Sequence, residues 1–314
     1  MSVAATQVSA PGAWARFFAG DAWHSFRSSP MAMLAAAIAA LCLAVALGAD
    51  LIAPHNPFDL ATLELADSML PPAWMEGGRA KYLLGTDEQG RDVLSALMYG
   101  ARISLFVGIA SVLLSMAVGV SLGLIAGYLG GRVDAIVMRV CDVMLSFPSI
   151  LIALLIAGVG RAMFPNAPES LAFGVLILAI SQTGWVQYAR TVRGSTMVER
   201  SKEYVQAARV IGVPRLRIMR KHVLPNVMGP VLVLSTIQVA TAILTEATLS
   251  FLGIGVQRPI PSWGVLIADS FQHLQSFPYL ALLPCGVLSV TILALNFVGE
   301  GVAEAMDPST RGAY

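Results

Sequence analysis

The chain has 314 residues, 56% of them hydrophobic and only 12% charged, with a mean hydropathy of +0.72. Soluble domains run nearer a quarter charged, so this composition points to a polytopic membrane protein. A net charge of +1 excludes the basic footprint of a nucleic-acid-binding domain.

Residues 1–30 form an interfacial segment in which WARFFAGDAWHSFR mixes aromatics with Arg16 and Arg27, a pattern suited to lying on a membrane surface. A disordered tail is the alternative. The apolar run 31–53 exceeds a signal-peptide core and follows about thirty residues, so it reads as a first membrane helix.

Residues 54–102 form a long outer segment. It opens on APHNPFD, which proline keeps from being helical throughout, and continues through PPAW and Gly77-Gly78 as turns. Val93, Leu94, Leu97, Met98 and Ala101 recur at helical spacing, which predicts an interfacial amphipathic helix leading into the second span. Spans two to six are expected at 103–129, 135–159, 171–186, 229–252 and 279–297, the fourth continuing toward 187–190. Placing the N-terminus inside puts most of the 20 Lys and Arg residues on the cytoplasmic side, together with the C-terminal tail 304–314.

The loop 190–226 is the strongly cationic segment. Ser201 is placed to cap a helix, with Glu203 in its first turn. Tyr204, Ala207, Ala208 and Ile211 follow on one narrow face, with Arg209 on the other side. Gly212 ends this helix and Pro214 starts a second over 215–222, carrying Arg215, Arg217, Arg220 and Lys221, which Pro225 ends. A docking helix for a cytosolic partner is the functional reading; a loop serving topology alone is the other. The cationic second helix also suits anionic lipid head groups.

Ionisable groups within spans are functional candidates. Arg139 and Asp142, at i and i+3, are expected to pair. Glu246 is expected either to pair with an outer-side arginine or to line a pore. Ser235, Gln238, Thr241 and Thr245 recur at helical spacing and form the candidate pore lining, with interhelical hydrogen bonding as the alternative, as for Gln182 and Thr183.

Cys42, Cys141 and Cys285 lie far apart in apolar runs and read as core thiols. His24, His55, His222 and His273 lack ligand spacing, so no metal site is expected. The lysines, Lys81, Lys202 and Lys221, follow Ala, Ser and Arg, so there is no Gly-Lys-Ser/Thr phosphate loop and no ATP hydrolysis by this chain is expected. No credible nucleophile triad occurs, and no catalytic residue is assigned.

The loop resembles the signature loop of ABC importer permeases, here Gln206-Ala207-Ala208, Gly212, His222, Leu224 and Pro225, with Gln206 where the family carries Glu. Gly85-Thr86-Asp87, Gly90-Arg91-Asp92, Ser95, Gly100, Arg102 and Ser104 resemble the block of dipeptide/oligopeptide/nickel permeases, with Ala96 in place of the usual Arg. Gly130-Gly131, Asp134, Met138-Arg139, Asp142 and Pro148 match the third-span block. Glu246-Ala247 and 249–253 match the end of span five. Asn296, Gly299, Asp307-Pro308 and Arg311 resemble the C-terminal signature, with Ala303 departing from it. PPAWMEGG looks most like the dipeptide permease subunit with a long first periplasmic segment.

The resemblance implies an all-α fold of six transmembrane helices of the type I importer kind. A permease core over 103–303 would carry a cytoplasmic coupling loop at 190–226. It implies an inner-membrane subunit forming half of a translocation pore with a sister permease. Two cytosolic ATPases would bind the ATP and Mg, and a periplasmic binding protein would deliver dipeptides or short peptides. Nickel, haem or glutathione-like cargo fits the same family. A secondary carrier without ATPases is the rival of another class, but its inverted repeat is not found.

Overall fold

The computed structural model describes residues 21–57, 65–165 and 168–306. Apart from an isolated bridge between Thr86 and Asp92, regular structure among the described residues is helical. Five helices are long and apolar enough to cross a membrane, and a bent helix pair makes a sixth span if counted as one. Arg16, Asp307, Pro308 and Arg311 lie outside the described residues.

A short helix, α1 (Asp21–Ser28), leads into α2 (Pro30–Ile52). The Ser29 hydroxyl accepts from the Ala32 amide, and Pro30 occupies a first-turn position where it forfeits no helical bond. The buried residues of α2 are alanines, Ala32, Ala35, Ala46 and Ala49, while Leu34, Leu41, Leu47 and Leu51 are exposed. A small-residue stripe thus seats α2 on the body and leaves its leucines for lipid.

Asp92 caps α3 (Val93–Leu129) by accepting from the Ser95 amide at 2.9 Å. The 37-residue helix is about 55 Å long. The amphipathic stretch expected at the interface is therefore its first two turns, continuous with the span. Val93, Leu97 and Ala101 pack in the same apolar cluster as Trp263, so that face is covered by protein instead of lying on the membrane.

The expected span 135–159 is instead two helices, α4 (Gly131–Leu145) and α5 (Ser149–Met163), bent by 87°. Pro148 explains the break: it disfavours helical backbone at Phe147 and has no N–H to continue the ladder. The next helix, α6 (Glu169–Glu199), runs for 31 residues, well past the expected 171–186, because Gln187, Arg190 and Arg193 find partners on neighbouring helices or solvent without interrupting it.

The loop helix is α7 (Glu203–Val210). Beyond it, α8 (Arg215–Ile218), a π-helical stretch (Met219–Val223) and α9 (Leu224–Phe251) run on as one path. Pro225 does not end a helix there; it sits in the first turn of α9. The wider π turn comes where the proline ring would otherwise crowd the carbonyl four residues back. Two further helices, α10 (Trp263–Phe271) and α11 (Pro278–Met306), complete the fold.

The most extensive helix contact joins α3 and α6. Gly119, Gly123 and Gly127 recur every fourth residue along α3 and meet the α6 backbone. A Cβ on Gly119 would lie 2.5 Å from Tyr188 Cβ, on Gly123 3.0 Å from Ala189 Cα, and on Gly127 2.8 Å from Thr196 Cβ. Bare backbone at these positions lets the two helices approach closely, which compensates for the weak hydrophobic drive between helices in lipid. The pair forms a stiff spine ending at the α6–α7 loop.

Candidate functional site

The loop after α6 is seated by an array of polar contacts. Arg193 forks onto Asp134 of α4, with Nη2 to Oδ2 at 2.6 Å. Arg200 donates to the carbonyls of Gly127 and Tyr128 at the end of α3, at 2.8 and 3.2 Å. Asp142 pairs with Arg190 of α6, so the expected Arg139–Asp142 pair is not the ion pair Asp142 makes. Arginine N-terminal to an acid on one helix is the weaker arrangement, and a guanidinium from the neighbouring helix takes the carboxylate.

At the start of α7, Ser201 does not cap the helix. Its hydroxyl donates to the Val198 carbonyl at 2.7 Å, and the cap position falls to Lys202, without a side-chain bond. Lys202 pairs with Glu199 at 2.7 Å. Tyr204 is the pin: its hydroxyl donates to Glu199 and accepts from Asn226 Nδ2 at 2.9 Å. Asn226 also donates to the His222 carbonyl at 2.7 Å. Burial, and next the Glu199 carboxylate beside it, raise the Tyr204 phenol above its ordinary value, which keeps it protonated as the donor. Gln206 donates to the Arg200 carbonyl at 3.1 Å, a bond available to an amide but not to the family's carboxylate.

The expected face of Tyr204, Ala207, Ala208 and Ile211 is divided. Val205 and Ala208 are buried, in one cluster with Ile218, Val223 and Val227, and Tyr204 leans across to α9. The exposed face is Glu203, Gln206, Ala207, Val210 and Ile211, with Val210 88% and Ile211 80% exposed. These positions follow the i, i+3, i+4, i+7, i+8 rule of a second helical face, and Val210 was the residue the sequence reading overlooked. The fully buried Val205 takes the inward position, which rotates the presented face by about one residue.

Gly212 then turns the chain with φ +83°. Nothing lies within 4 Å of where its Cβ would be, so the glycine answers to backbone conformation alone. The Val213 amide closes onto the Ala208 carbonyl at 3.0 Å, and Pro214 caps α8. Arg215, Arg217, Arg220 and Lys221 are exposed around the corner. Two apolar side chains thus stand out from a pinned helix beside a cationic turn.

The candidate pore stripe also divides. Ser235 accepts from the Tyr188 hydroxyl at 3.0 Å and Gln238 is buried beside Gly184; both are held between helices, the interhelical role. Thr241 is exposed and Thr245 half-buried, and both donate to their own helix carbonyls, Ile237 at 3.0 Å and Thr241 at 2.8 Å. Thr183 similarly donates to Ile180 at 2.8 Å.

Glu246 neither meets an arginine nor lines an opening. It is 0% exposed and accepts from Ser104 at 2.8 Å and Ser250 at 2.7 Å. The same serines carry the loop after α9: the Trp263 amide donates to Ser104 at 3.2 Å and the Val256 amide to Ser250 at 2.9 Å. From the other side, Arg161 donates to the carbonyls of Gly253 and, at 2.8 Å, Gly255. A buried carboxyl group thus organises the 253–262 loop. The composition of that loop gives no hint of it, because one of the serines, Ser104, lies 142 residues from Glu246 in the chain.

Residues 119–312 match the family described as binding-protein-dependent transport system inner membrane component, and residues 13–72 match the N-terminal transmembrane domain of oligopeptide transport permease C. The chain is 41% identical over 290 residues to the dipeptide transport system permease protein DppC of Escherichia coli K12, covering 92% of each. It is 37% identical to the di/tripeptide transport system permease protein DppC of Pseudomonas aeruginosa, covering 93% of this chain and 92% of that one. It is also 37% identical to the oligopeptide permease OppC of Bacillus subtilis, covering 93% and 90%. A solved structure of the MetNI methionine ABC transporter, in inward-facing form, superposes with a TM-score of 0.53 at 17% identity, covering 68% of this chain and 97% of that one, which shows a shared fold. The helix order, the pinned loop after α6 and these matches together place the chain among the inner-membrane permease components of binding-protein-dependent ABC importers, in the branch of the dipeptide and oligopeptide permeases.

Proposed function

We propose that this chain is the permease subunit of an ATP-driven importer of dipeptides or short peptides. The single observation that carries the coupling role is the outward face of α7, where Val210 and Ile211 stand exposed on a helix fixed from behind by Tyr204. Exposed apolar side chains on a rigid polar loop need a partner surface, and a cytosolic ATPase is the partner that a chain without a phosphate loop requires. Two ATPase subunits bind the ATP and Mg; this chain binds neither and catalyses no reaction of its own. A sister permease forms the other half of the pore, and Thr241, exposed, and Thr245, half-buried, lie on the flank proposed to face it. A periplasmic binding protein delivers the cargo, which the names of the 37–41% identical relatives indicate to be peptide. In this reading both termini and the α6–α9 loop face the cytoplasm, which the lysine and arginine excess on that side supports.

The test is reconstitution of this chain in liposomes with its sister permease, ATPases and binding protein. Labelled dipeptide uptake is expected only with ATP inside and all components present. Uptake by this chain alone, driven by a proton gradient, overturns the reading in favour of a secondary carrier.

A further inference from the structure

The two halves of the bent pair are joined to the body unevenly. α4 is bolted to α6 by two ion pairs, Asp134–Arg193 and Asp142–Arg190. α5 rests on α6 through small residues: Ala153 and Ala157 are buried, and a Cβ on Gly160 would lie 2.4 Å from Val175 Cγ1. Small residues let helices approach but present few ridges to interlock. The opposite side of α5 is open, with Leu151, Leu155 and Val159 exposed. Among the described residues, the side-chain hydrogen bonds that tie α5 to another element come from Arg161, in its last turn.

The acceptors of Arg161 are the carbonyls of Gly253 and Gly255, the latter at 2.8 Å. The Gln257 amide, oriented with its oxygen toward the guanidinium, accepts from Nη1 at 2.8 Å. The turn that carries these oxygens is firm. Gly253 takes φ +76°, and the Ile254 and Gly255 amides close onto the Leu249 carbonyl at 2.9 and 2.8 Å. The Val256 amide is held by Ser250, which bonds Glu246. One guanidinium thus reaches from the free end of α5 into a cradle fixed to the end of α9. Three features let this contact open. Its acceptors are neutral, and Arg161 forms none of the ion pairs among the described residues, so its release strands no carboxylate. The joint is not filled: a cavity of about 40 Å³, lined in part by Ala157, Gly160, Phe164, Leu176 and Ile254, lies against Arg161, room enough for a water molecule. At its other end α5 begins at the 87° elbow, where Pro148 has already interrupted the helical ladder.

We propose that Arg161 is a releasable clasp. Closed, it fastens α5 to the end of α9; open, it frees α5 to pivot on the Pro148 elbow, and the transporter opens it once in each cycle. The clasp lies at the end of α9 remote from the α7 corner, across 28 residues of helix, about 42 Å. Arg161 is therefore a positioning residue that acts through the 253–257 turn. The inference rests on the permease reading for the cycle that opens the clasp, and not for the clasp itself.

The assay is the distance between spin labels at Leu155 and Leu252, both exposed, in the assembled transporter in nanodiscs, with Cys42, Cys141 and Cys285 replaced by alanine. Without ATP, one short distance should dominate; turnover with ATP, binding protein and dipeptide should add a longer one. Arg161→Gln is expected to raise the longer population at rest about tenfold, the loss of two charge-assisted bonds. Arg161→Lys keeps the charge without the fork, and about a threefold rise is expected; this variant reads the clasp even if the glutamine variant is poorly expressed. Arg258→Gln removes a contact between the same loop and Asp269 of α10 and should leave the distances unchanged. ATP hydrolysis without dipeptide, which a merely structural contact would not move, should rise with the longer population in the Arg161 variants while uptake per ATP falls.

Unchanged resting distances in both Arg161 variants would overturn the clasp, whatever happens to their thermal midpoints. An equal shift in Arg258→Gln would overturn it in favour of a general loosening of the loop. A wild-type transporter that imports dipeptide while its labels keep the resting distance throughout would overturn the opening step. Failure of the wild-type transporter to import peptide with ATP would count against the permease reading alone, because the resting distances in the variants need no cargo and still decide the clasp.

Discussion

Replacing Val210 and Ile211 together by serine tests whether α7 is a docking face. The two side chains are 88% and 80% exposed and make no internal contact that holds the helix. Full burial of a valine or isoleucine stabilises by about 1.5–3 kcal/mol, so complete coverage by a partner would place about 2.5–5 kcal/mol on this pair. Interfaces rarely convert burial fully into affinity, which makes the lower figure the working estimate. About 2.5 kcal/mol corresponds to roughly a 70-fold rise in Kd. The assay is binding of the purified ATPase subunit to the permease pair in detergent, with thermal unfolding of the permease as the control. The thermal midpoint should move little, because neither residue contributes to the core. Val205→Ser is the counter-variant: Val205 is fully buried in the principal cluster, and its loss should lower stability by about 1–3 kcal/mol. ATPase binding within threefold of wild type in the double serine variant would refute docking through this face.

The glycine spine makes a paired prediction. Gly123→Ala should destabilise by about 1–3 kcal/mol in thermal unfolding, because its Cβ would be forced against the Ala189 backbone. Gly194→Ala, where nothing lies within 4 Å, should stabilise by up to about 1 kcal/mol through helix propensity. Equal midpoints for the two would sink the close-contact argument. At the far end, Glu246→Gln keeps an acceptor for the serines and should retain most uptake activity. Glu246→Leu strands their hydroxyls and should cost about 2–4 kcal/mol, with faster proteolysis in the 253–262 loop as the local readout. Tyr204→Phe removes the bonds to Glu199 and Asn226. It should leave ATPase binding largely intact while lowering uptake per ATP hydrolysed, and unchanged coupling would remove Tyr204 from the role of pin.

Span existence was legible because sustained hydropathy is a local property of the chain. Span continuity was not. The interruption at Pro148 and the run through Pro225 have opposite outcomes for the same residue type. At Pro148 the chain leaves the helix before the ring, and the two halves diverge by 87°. At Pro225 the π-helical turn over Met219–Val223 relieves the clash and the helix proceeds. The choice between breaking and bulging depends on what packs around the proline, which hydropathy does not encode. The α3 spine was legible and overlooked: glycine at every fourth position within an apolar run is a sequence statement about close helix packing. Its partner, α6, was not readable, since nothing local in Trp185–Thr196 marks it as the opposing surface.

At the loop, the helix–glycine–proline–helix grammar located the site, but the presented face required tertiary information. Two faces of α7 are compatible with the periodicity, one through Tyr204, Ala208 and Ile211 and one through Gln206, Val210 and Ile211. Val205 decides between them. It is a larger apolar side chain than either alanine, and burying it against Ile218 and Val223 fixes the rotation, leaving Val210 and Ile211 in solvent. Exposing two such side chains without a partner runs against the tendency to bury them by about as much as the pair would gain on docking. The same balance explains Gln206. Where the face is apolar and the helix is held from behind by Tyr204, a carboxylate is not needed to fix α7, and an amide that bonds the Arg200 carbonyl does so without adding charge to the docking surface. Coupling through this loop therefore depends on the shape and position of a rigid apolar knob, and a Gln206→Glu substitution, which restores the family residue, should change ATPase affinity less than about threefold while Val210→Ser alone changes it more.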